Sequence, residues 1–370
     1  MDVFDSHIVL VIRSRGQHLL RIIQFGKGAE VHTIQSTWTV PFLDNVFSLN
    51  FGMNLNNKLE RFRCETSNML GEERVYDILP LEKKVSLLRT TTVSGCDSSS
   101  FSTERVMVRV DSDTEVPLTI LSLRDVDGPK PVLVQVYGAY GVTLEPSYDN
   151  LYLPLLRRGW SICLAHVRGG GELGRAWYKA GTATQKMNSV TDFIACCNYL
   201  VQTGLTRKGM LAAMGTSAGG IPVAAACNMT GTDLFGAVIL DVPYLDLLRA
   251  MDDPNLPLTV HEFDEFGDPR DSLVRRYIAQ YDPVLNVGPH PYPHMLLYGD
   301  LHDRRVPYWH PLRYAAKVQR EKDGICDNVA VVNVSSTTGH SADGGRFSGL
   351  EKTAEQVAFL LKYCDGGGKT

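Results

Sequence analysis

The sequence MLAAMGTSAGGIPVAAACNM at residues 210–229 contains a short apolar run, a Gly-x-Ser-x-Gly motif and a run of small residues. The apolar run predicts a strand and the small residues predict a helix, so the motif lies at a strand-to-helix turn. Gly215 and Gly219 allow a sharp turn that exposes the Ser217 hydroxyl at the carboxyl edge of a sheet. The Ala218 N–H begins the helix and can stabilise an oxyanion. The stretch predicts a nucleophilic serine; the alternative is a helix-capping serine between two structural glycines.

A serine nucleophile needs a base and an acid that orients the base, and after this turn both are expected downstream in the order serine, acid, histidine. Asp303 follows the predicted strand 294–299, and His340 follows the predicted strand 329–334. Loops at the carboxyl ends of parallel strands converge on one edge of the sheet, so we predict Asp303 as the acid and His340 as the base. The alternatives in the same sequence are Asp241 and Asp300 for the acid, and His302 and His310 for the base.

The chain divides into two parts with different patterns. Before about residue 85, short β-branched runs at 8–12, 31–34 and 46–49 predict antiparallel strands. From about residue 104, apolar runs alternate with helix-like stretches, which predicts an α/β domain with a mainly parallel sheet. The predicted strands are 105–110, 117–123, 131–137, 160–167, 210–214, 236–242, 294–299 and 329–334, and the predicted helices are 188–204, 218–229, 311–321 and 351–361.

A second glycine motif, GGGELG at residues 169–174, matches the dinucleotide-binding pattern GxGxxG. That pattern should open a helix directly and place an acid at the end of the next strand, about 20 residues on. Asp192 has the right spacing, but it lies within a predicted helix. We therefore interpret 169–174 as a tight structural loop.

Composition limits the function classes. With 37 basic and 41 acidic residues, the net charge is −4, which argues against a strongly basic nucleic-acid binder. Hydrophobic residues make up 44% and charged residues 21%, as in ordinary globular proteins. No apolar run approaches the roughly 18 residues of a membrane-spanning helix. The eight cysteines include no CxxC pair and no metal-ligand spacing, so we expect reduced thiols, no metal site and a cytoplasmic location.

Several stretches resemble the prolyl oligopeptidase family of serine peptidases, and in particular its oligopeptidase B branch. They cover most of the chain from about residue 88 onward and occur in the family's order. The matching stretches are YGAYG at 137–141, HVRGGGELG at 166–174, GTSAGG at 215–220, LHD at 301–303, and Gly339-His340 with Gly345-Arg346-Phe347.

This resemblance implies an α/β-hydrolase domain over residues 88–370 that follows a partial β-propeller segment over residues 1–87. It implies Ser217 as nucleophile, His340 as base and Asp303 as the orienting acid, with an acyl-enzyme intermediate and no cofactor. It also implies that the Tyr137 hydroxyl and the Ala218 N–H form the oxyanion hole.

The resemblance is less specific about the substrate. It implies that Glu262 and Asp264 help to hold a basic side chain of the substrate. A second acidic pair would help to hold the neighbouring substrate residue, and here only half of it is kept, as Glu145, because Ser147 replaces the other acid. Arg305 matches an arginine that prolyl oligopeptidases use to hold a peptide carbonyl. The alternative interpretation is that these acids belong to a solvated charged loop.

The family normally has a seven-bladed β-propeller before the hydrolase domain, and residues 1–87 have room for about two blades. We expect a serine hydrolase acting on short peptides, esters or thioesters, with strand edges in the β segment that could bind protein partners. The alternative function is a scaffold or a trafficking-regulating interaction protein that retains the hydrolase fold.

Overall fold

The computed structural model describes residues 1–26, 33–124, 126, 128–336, 339–340 and 349–364. Within these residues the chain forms two four-stranded sheets and one eight-stranded sheet. The strands are β1 (Asp2–Val3), β2 (His7–Ser14), β3 (Gln17–Phe25), β4 (Ile34–Thr39), β5 (Ser48–Phe51), β6 (Phe62–Ser67), β7 (Glu73–Leu79), β8 (Lys84–Thr91), β9 (Phe101–Arg109), β10 (Glu115–Leu123), β11 (Val132–Val136), β12 (Ser161–Ala165), β13 (Leu211–Thr216), β14 (Ala237–Asp241), β15 (His294–Asp300) and β16 (Ala330–Ser335). The helices are α1 (Tyr152–Leu156), α2 (Arg175–Lys179), α3 (Met187–Gln202), α4 (Gly220–Thr230), α5 (Leu247–Met251), α6 (Thr259–Phe266), α7 (Ser272–Tyr281), α8 (Trp309–Glu321) and α9 (Leu350–Cys364).

The eight-stranded sheet has the order β16-β15-β14-β13-β11-β12-β10-β9. All neighbouring pairs from β12 to β16 are parallel, whereas β10 runs antiparallel to both β12 and β9. The carboxyl ends of β11, β13, β14, β15 and β16 therefore meet at one edge. The predicted α/β-hydrolase class with a mainly parallel sheet is confirmed.

Alternate residues of the central strands face two separate cores. In β14, Val238 and Leu240 belong to one core, whereas Ala237 and Ile239 belong to the other. Helices α3, α4 and α8 pack against the first core, and α1 and α9 pack against the second. Because both faces of the sheet are covered, these strands are nearly continuous apolar runs.

The two small sheets each consist of four consecutive antiparallel strands, β1 to β4 and β5 to β8. Val9 and Ile22 of the first sheet share one core with Phe62 and Ile78 of the second. Four-stranded antiparallel sheets that pack face to face are the units of a β-propeller. The predicted propeller-like segment of about two blades is confirmed.

The loop between β6 and β7 attaches the second small sheet to the hydrolase domain. Met69 and Leu70 enter the core beneath α1 and α9. Glu72 accepts hydrogen bonds from Arg74 at 2.7 Å and from Ser98 at 2.7 Å. The two parts of the chain are therefore joined by apolar packing of Met69 and Leu70 and by the hydrogen bond from Ser98 to Glu72.

The sequence prediction differs from the structure at several elements. Residues 31–32 of the predicted strand 31–34 lie outside the described residues, and strand β4 begins only at Ile34. Helices α1, α2, α5, α6 and α7 were not predicted. The predicted boundary between residues 87 and 88 falls within β8, and we propose that the division lies after Thr91. Within the described part of the chain, no helix is both long enough and apolar enough to cross a membrane.

Phe62 should contribute strongly to the stability of the small sheets. Its side chain is fully buried and makes edge-to-face contacts with Phe4 and Phe51. We expect Phe62→Ala to lower the free energy of unfolding of this segment by about 3–5 kcal/mol, because the substitution leaves a cavity. Urea denaturation followed by circular dichroism measures this loss. Leu55→Ala is the control, because Leu55 is 92% exposed; equal losses in the two variants would contradict the described packing.

Candidate active site

The turn after β13 holds Ser217 in a strained backbone conformation. Ser217 has a φ of +54°, which non-glycine residues seldom adopt. It opens a single 3-10 turn, Ser217–Gly219, which leads into α4. Such strain costs of order 1–3 kcal/mol and persists only where the surrounding structure imposes it. The turn matches the predicted nucleophile elbow.

Two close backbone contacts require the glycines on either side of Ser217. A Cβ atom on Gly215 would lie 2.1 Å from the Gly219 carbonyl oxygen. A Cβ atom on Gly219 would lie 2.6 Å from the carbonyl oxygen of Val136, at the end of β11. Both distances are too short for any side chain, so the motif is required by packing as well as by chain reversal.

His340 lies between Ser217 and Asp303. The His340 Nδ1 atom is 2.6 Å from Asp303 Oδ2, and its Nε2 atom is 3.2 Å from Ser217 Oγ. The other Asp303 oxygen, Oδ1, accepts the backbone N–H groups of Arg305 at 2.8 Å and Val306 at 2.9 Å. The Asp303 side chain is fully buried, so its carboxylate is fixed both by its own loop and by the imidazole.

The two alternative acids have other partners. Asp241, at the end of β14, forms an ion pair with Lys352 of α9. Asp300, at the end of β15, accepts the backbone N–H of His302 at 2.7 Å. Neither of these two contacts involves His340, whereas Asp303 is hydrogen-bonded to this histidine.

The two alternative bases also lie in other environments. His302 is exposed on the loop after β15. His310 is fully buried, and its Nδ1 atom accepts the backbone N–H groups of Leu245 at 3.1 Å and Asp246 at 3.0 Å. Burial and the nearby charge of Arg313 lower the pKa of His310 to about 3. His310 is therefore a neutral structural histidine.

Tyr137 follows β11 and brings a phenol to the serine. Burial raises the pKa of Tyr137, and the negative charges of Glu265 and Glu262 raise it further, whereas Arg305 and a hydrogen bond with Ser217 lower it. The phenol thus stays protonated and can act as a donor. Ala218 is buried in the first turn after Ser217, where a backbone N–H has no acceptor within its own helix.

The predicted acids Glu262 and Asp264 do not lie together. Glu262 is buried on α6 and accepts the Tyr140 hydroxyl at 2.6 Å, and burial raises its pKa. Asp264 is exposed on the same helix. Residues two positions apart on a helix point in different directions. Glu262 therefore borders the site, and Asp264 does not share its surroundings.

Glu145 and Arg305 occupy contrasting positions. Glu145 forms an ion pair with Arg13 of β2 and lies 3.6 Å from His18 of β3, so it links the hydrolase domain to the first small sheet. Arg305 is exposed in the loop next to Asp303, and its charge reaches Tyr137. Arg305 therefore acts on the Tyr137 phenol, whereas Glu145 contacts the first small sheet.

Sequence reasoning missed a buried ion pair next to Tyr137. Lys186 Nζ lies 2.9 Å from Glu265 Oε1 and donates to the Gly138 carbonyl at 2.7 Å. Nothing in the local pattern distinguishes Lys186 from a solvated lysine before a helix. Glu265 could have been found from its spacing, since it lies three residues after Glu262 and therefore on the same face of α6.

The glycine-rich segment 169–174 is a packing loop, as predicted. A Cβ atom on Gly169 would lie 2.2 Å from the Gly138 carbonyl oxygen. Asp192 forms an ion pair with Arg168, with an N–O distance of 2.6 Å. Asp192 therefore serves in an internal ion pair, whereas the dinucleotide interpretation would have it bind a ribose hydroxyl.

Within the described residues, no group of three or more His, Cys, Asp or Glu side chains could hold a metal ion. All eight cysteines are free. Gly345-Arg346-Phe347 lies outside the described residues.

Comparison with known proteins identifies relatives across nearly the whole chain. The family model described as "Prolyl oligopeptidase family" matches residues 146–367. Dipeptidyl aminopeptidase BI of Pseudoxanthomonas mexicana is 33% identical over 363 residues, which is 97% of this chain and 49% of that protein. Prolyl endopeptidase-like of Gallus gallus is 34% identical over 387 residues, covering 98% of this chain and 50% of that protein.

Solved structures show the same similarity. Oligopeptidase B from Trypanosoma brucei, in a closed form with covalently bound antipain, aligns with a TM-score of 0.89 at 31% identity, covering 98% of this chain and 51% of that chain. Oligopeptidase B from Leishmania major aligns with a TM-score of 0.87 at 30% identity, covering 97% and 50% of the two chains. This chain thus spans about half the length of these relatives.

The low pKa of His310 should make stability depend on pH. The unfolded state takes up a proton near pH 6.5, but the folded state does so only near pH 3. The contribution of His310 to the free energy of unfolding is therefore fully present above pH 6.5. It is lost at about 1.4 kcal/mol per pH unit as the pH falls from 6.5 towards 3.

Comparing wild type with His310→Gln at several pH values isolates this effect. We expect the stability advantage of the wild type to shrink between pH 6.5 and pH 4, as measured by urea denaturation. His302→Gln is the matched control for the substitution at an exposed position. An advantage that stays constant over this pH range would show that His310 is not held neutral.

Proposed function

The chain belongs to the prolyl oligopeptidase family, and from that premise we propose that it is a serine hydrolase whose catalytic triad is Ser217, His340 and Asp303. The observation that carries this proposal is the position of His340, which lies 3.2 Å from Ser217 Oγ and 2.6 Å from Asp303 Oδ2. A base that contacts both the hydroxyl and an orienting carboxylate is what nucleophilic catalysis by serine requires.

The first half of the reaction acylates the serine. His340 Nε2 accepts the Ser217 proton while the serine oxygen attacks the carbonyl carbon of the substrate. The Tyr137 hydroxyl and the Ala218 N–H donate hydrogen bonds to the carbonyl oxygen as it becomes negative. The tetrahedral intermediate then collapses, and the leaving amine, alcohol or thiol takes the proton from His340.

The second half of the reaction releases the acid product. His340 accepts a proton from water, whose oxygen attacks the acyl-enzyme carbonyl. The oxyanion donors act again on the second tetrahedral intermediate. Its collapse breaks the bond to Ser217 Oγ, which recovers its proton from His340. Asp303 stabilises the imidazolium in both halves without being protonated itself.

Short peptides are the substrate class that the relatives support best. Their names include dipeptidyl aminopeptidase and oligopeptidase B, and the latter was solved with covalently bound antipain. Esters and thioesters are also within reach of this chemistry, because their leaving groups depart more readily than amines. A cytoplasmic location and protein partners of the β segment remain predictions.

A binding function without catalysis is the alternative proposal. It requires only the hydrolase fold, and it does not depend on a nucleophile, a base and an acid in hydrogen-bond contact. The complete set of contacts around His340 favours the hydrolase.

The Ser217 hydroxyl should be essential for covalent labelling. We expect a fluorophosphonate probe to label the wild type and to leave Ser217→Ala unlabelled, because the probe reacts with an activated serine. Gel fluorescence measures the labelling. Thr216→Ala is the matched control, since it removes the adjacent hydroxyl, and it should still be labelled. Full labelling of Ser217→Ala would rule out the proposed nucleophile.

Glu262 should favour substrates with a basic side chain. A buried carboxylate beside the site can bind an arginine side chain, and loss of a charged hydrogen bond costs about 1.5–3 kcal/mol. We therefore expect Glu262→Gln to lower kcat/KM about 10- to 100-fold for an arginine p-nitrophenyl ester, relative to the alanine ester. Asp264→Asn should not change this ratio. Equal losses for both esters in Glu262→Gln would exclude a specificity role.

A further inference from the structure

Lys186 is a fully buried lysine close to the proposed oxyanion site. It directly precedes α3, and its relative solvent exposure is 0%. A buried ammonium group is strongly unfavourable unless it has charged and hydrogen-bonded partners. Its two partners are the Glu265 carboxylate at 2.9 Å and the Gly138 carbonyl at 2.7 Å. Lys186 therefore connects Glu265 of α6 to the loop that follows Tyr137.

The Gly138 carbonyl is held from more than one side. Ser189, one turn along α3 from Lys186, donates its one hydroxyl proton mainly to the Arg168 carbonyl at 2.6 Å, and its oxygen lies 3.3 Å from the Gly138 carbonyl oxygen. Gly138 has a φ of +67°, and Gly169 packs so closely that a Cβ atom would lie 2.2 Å from the Gly138 oxygen. The Gly138–Ala139 peptide, one residue after Tyr137, is therefore fixed in space.

Helix α6 holds the same loop at two points through its two buried acids. Glu262 accepts the Tyr140 hydroxyl at 2.6 Å. Glu265 holds Gly138 through Lys186. Both acids also raise the pKa of the Tyr137 phenol, which keeps the proton that an oxyanion donor must retain. Lys186 compensates the charge of Glu265, so this acid can be buried beside the loop.

We propose that the buried pair of Lys186 and Glu265 is a positioning element that fixes the Tyr137 hydroxyl for hydrogen bonding to the developing oxyanion. This inference rests on the proposed function and extends it to a pair that acts through the loop after Tyr137. The hydrogen bond from the Tyr137 hydroxyl to the substrate oxygen strengthens in the transition state. Loss of the ion pair should therefore lower kcat and leave KM nearly unchanged.

The test uses the double variant Lys186→Met/Glu265→Gln in the full chain, since removing both charges leaves neither one buried alone. With a p-nitrophenyl ester as substrate, we expect kcat to fall about 10- to 100-fold, below the effect of losing an entire oxyanion donor. KM should stay within about two-fold. Lys317→Met is the matched control, because Lys317 donates to the Val284 and Leu285 carbonyls, and it should retain the wild-type kcat.

A double-mutant cycle with Tyr137→Phe separates positioning from general loss of structure. In the Tyr137→Phe background, adding Lys186→Met/Glu265→Gln should lower kcat by less than about three-fold. Equal losses in the two backgrounds, or a change confined to KM, would overturn the proposal. A wild type that neither turns over the ester nor reacts with fluorophosphonate would instead overturn the proposed function, and this inference with it.

A milder variant keeps the test decisive if the double variant does not fold. Ser189→Ala removes the hydroxyl that lies against the Arg168 and Gly138 carbonyls and leaves the ion pair intact. It should lower kcat about two- to five-fold in the wild-type background and have no effect in the Tyr137→Phe background. An identical decrease in both backgrounds would overturn the proposal.

Discussion

The close approach of the Gly215 and Gly219 backbones is the constraint on which the site depends. It holds Ser217 at a φ of +54° and brings the turn against the end of β11. In the sheet, Val136 is paired with Gly215, so Tyr137 and Ser217 leave adjacent strand ends. The proposed nucleophile and its oxyanion donor are therefore brought together by strand register rather than by flexible loops.

Electrostatics around this edge of the sheet depend on buried charges. Asp303 is fully buried and hydrogen-bonded by its own loop, which prepares it to orient His340. Burial and the negative charges of Glu265 and Glu262 raise the pKa of the Tyr137 phenol, and Lys186 compensates the charge of Glu265. Arg305 adds an exposed positive charge, which lowers the pKa of the Tyr137 phenol. The same helix, α6, thus holds the loop after β11 at Tyr140 through Glu262 and at Gly138 through Glu265 and Lys186.

Much of this arrangement was predictable from local sequence. The GxSxG motif between an apolar run and a run of small residues predicted the elbow, and the order of strands and loops predicted Asp303 and His340. Helices α5 to α7 were missed because their apolar residues face a small local core rather than the main sheet. Glu145 was predicted as half of an acidic pair that binds substrate, and the structure shows in addition that it pairs with Arg13, which lies 132 residues away in sequence. Long-range pairs of this kind leave no periodic signal, and the same holds for Lys186 and Glu265.

The central claim is that Ser217, His340 and Asp303 work as one acyl-transfer unit, and trapping of the acyl-enzyme tests it most directly. Rapid mixing with p-nitrophenyl acetate, followed by acid quench and peptide mass mapping, locates the acyl group. The account predicts a burst of about one equivalent per chain, with the acetyl group on the peptide that contains Ser217, and no burst in His340→Gln. Absence of a burst in the wild type, or an acetyl group on another residue, would contradict it.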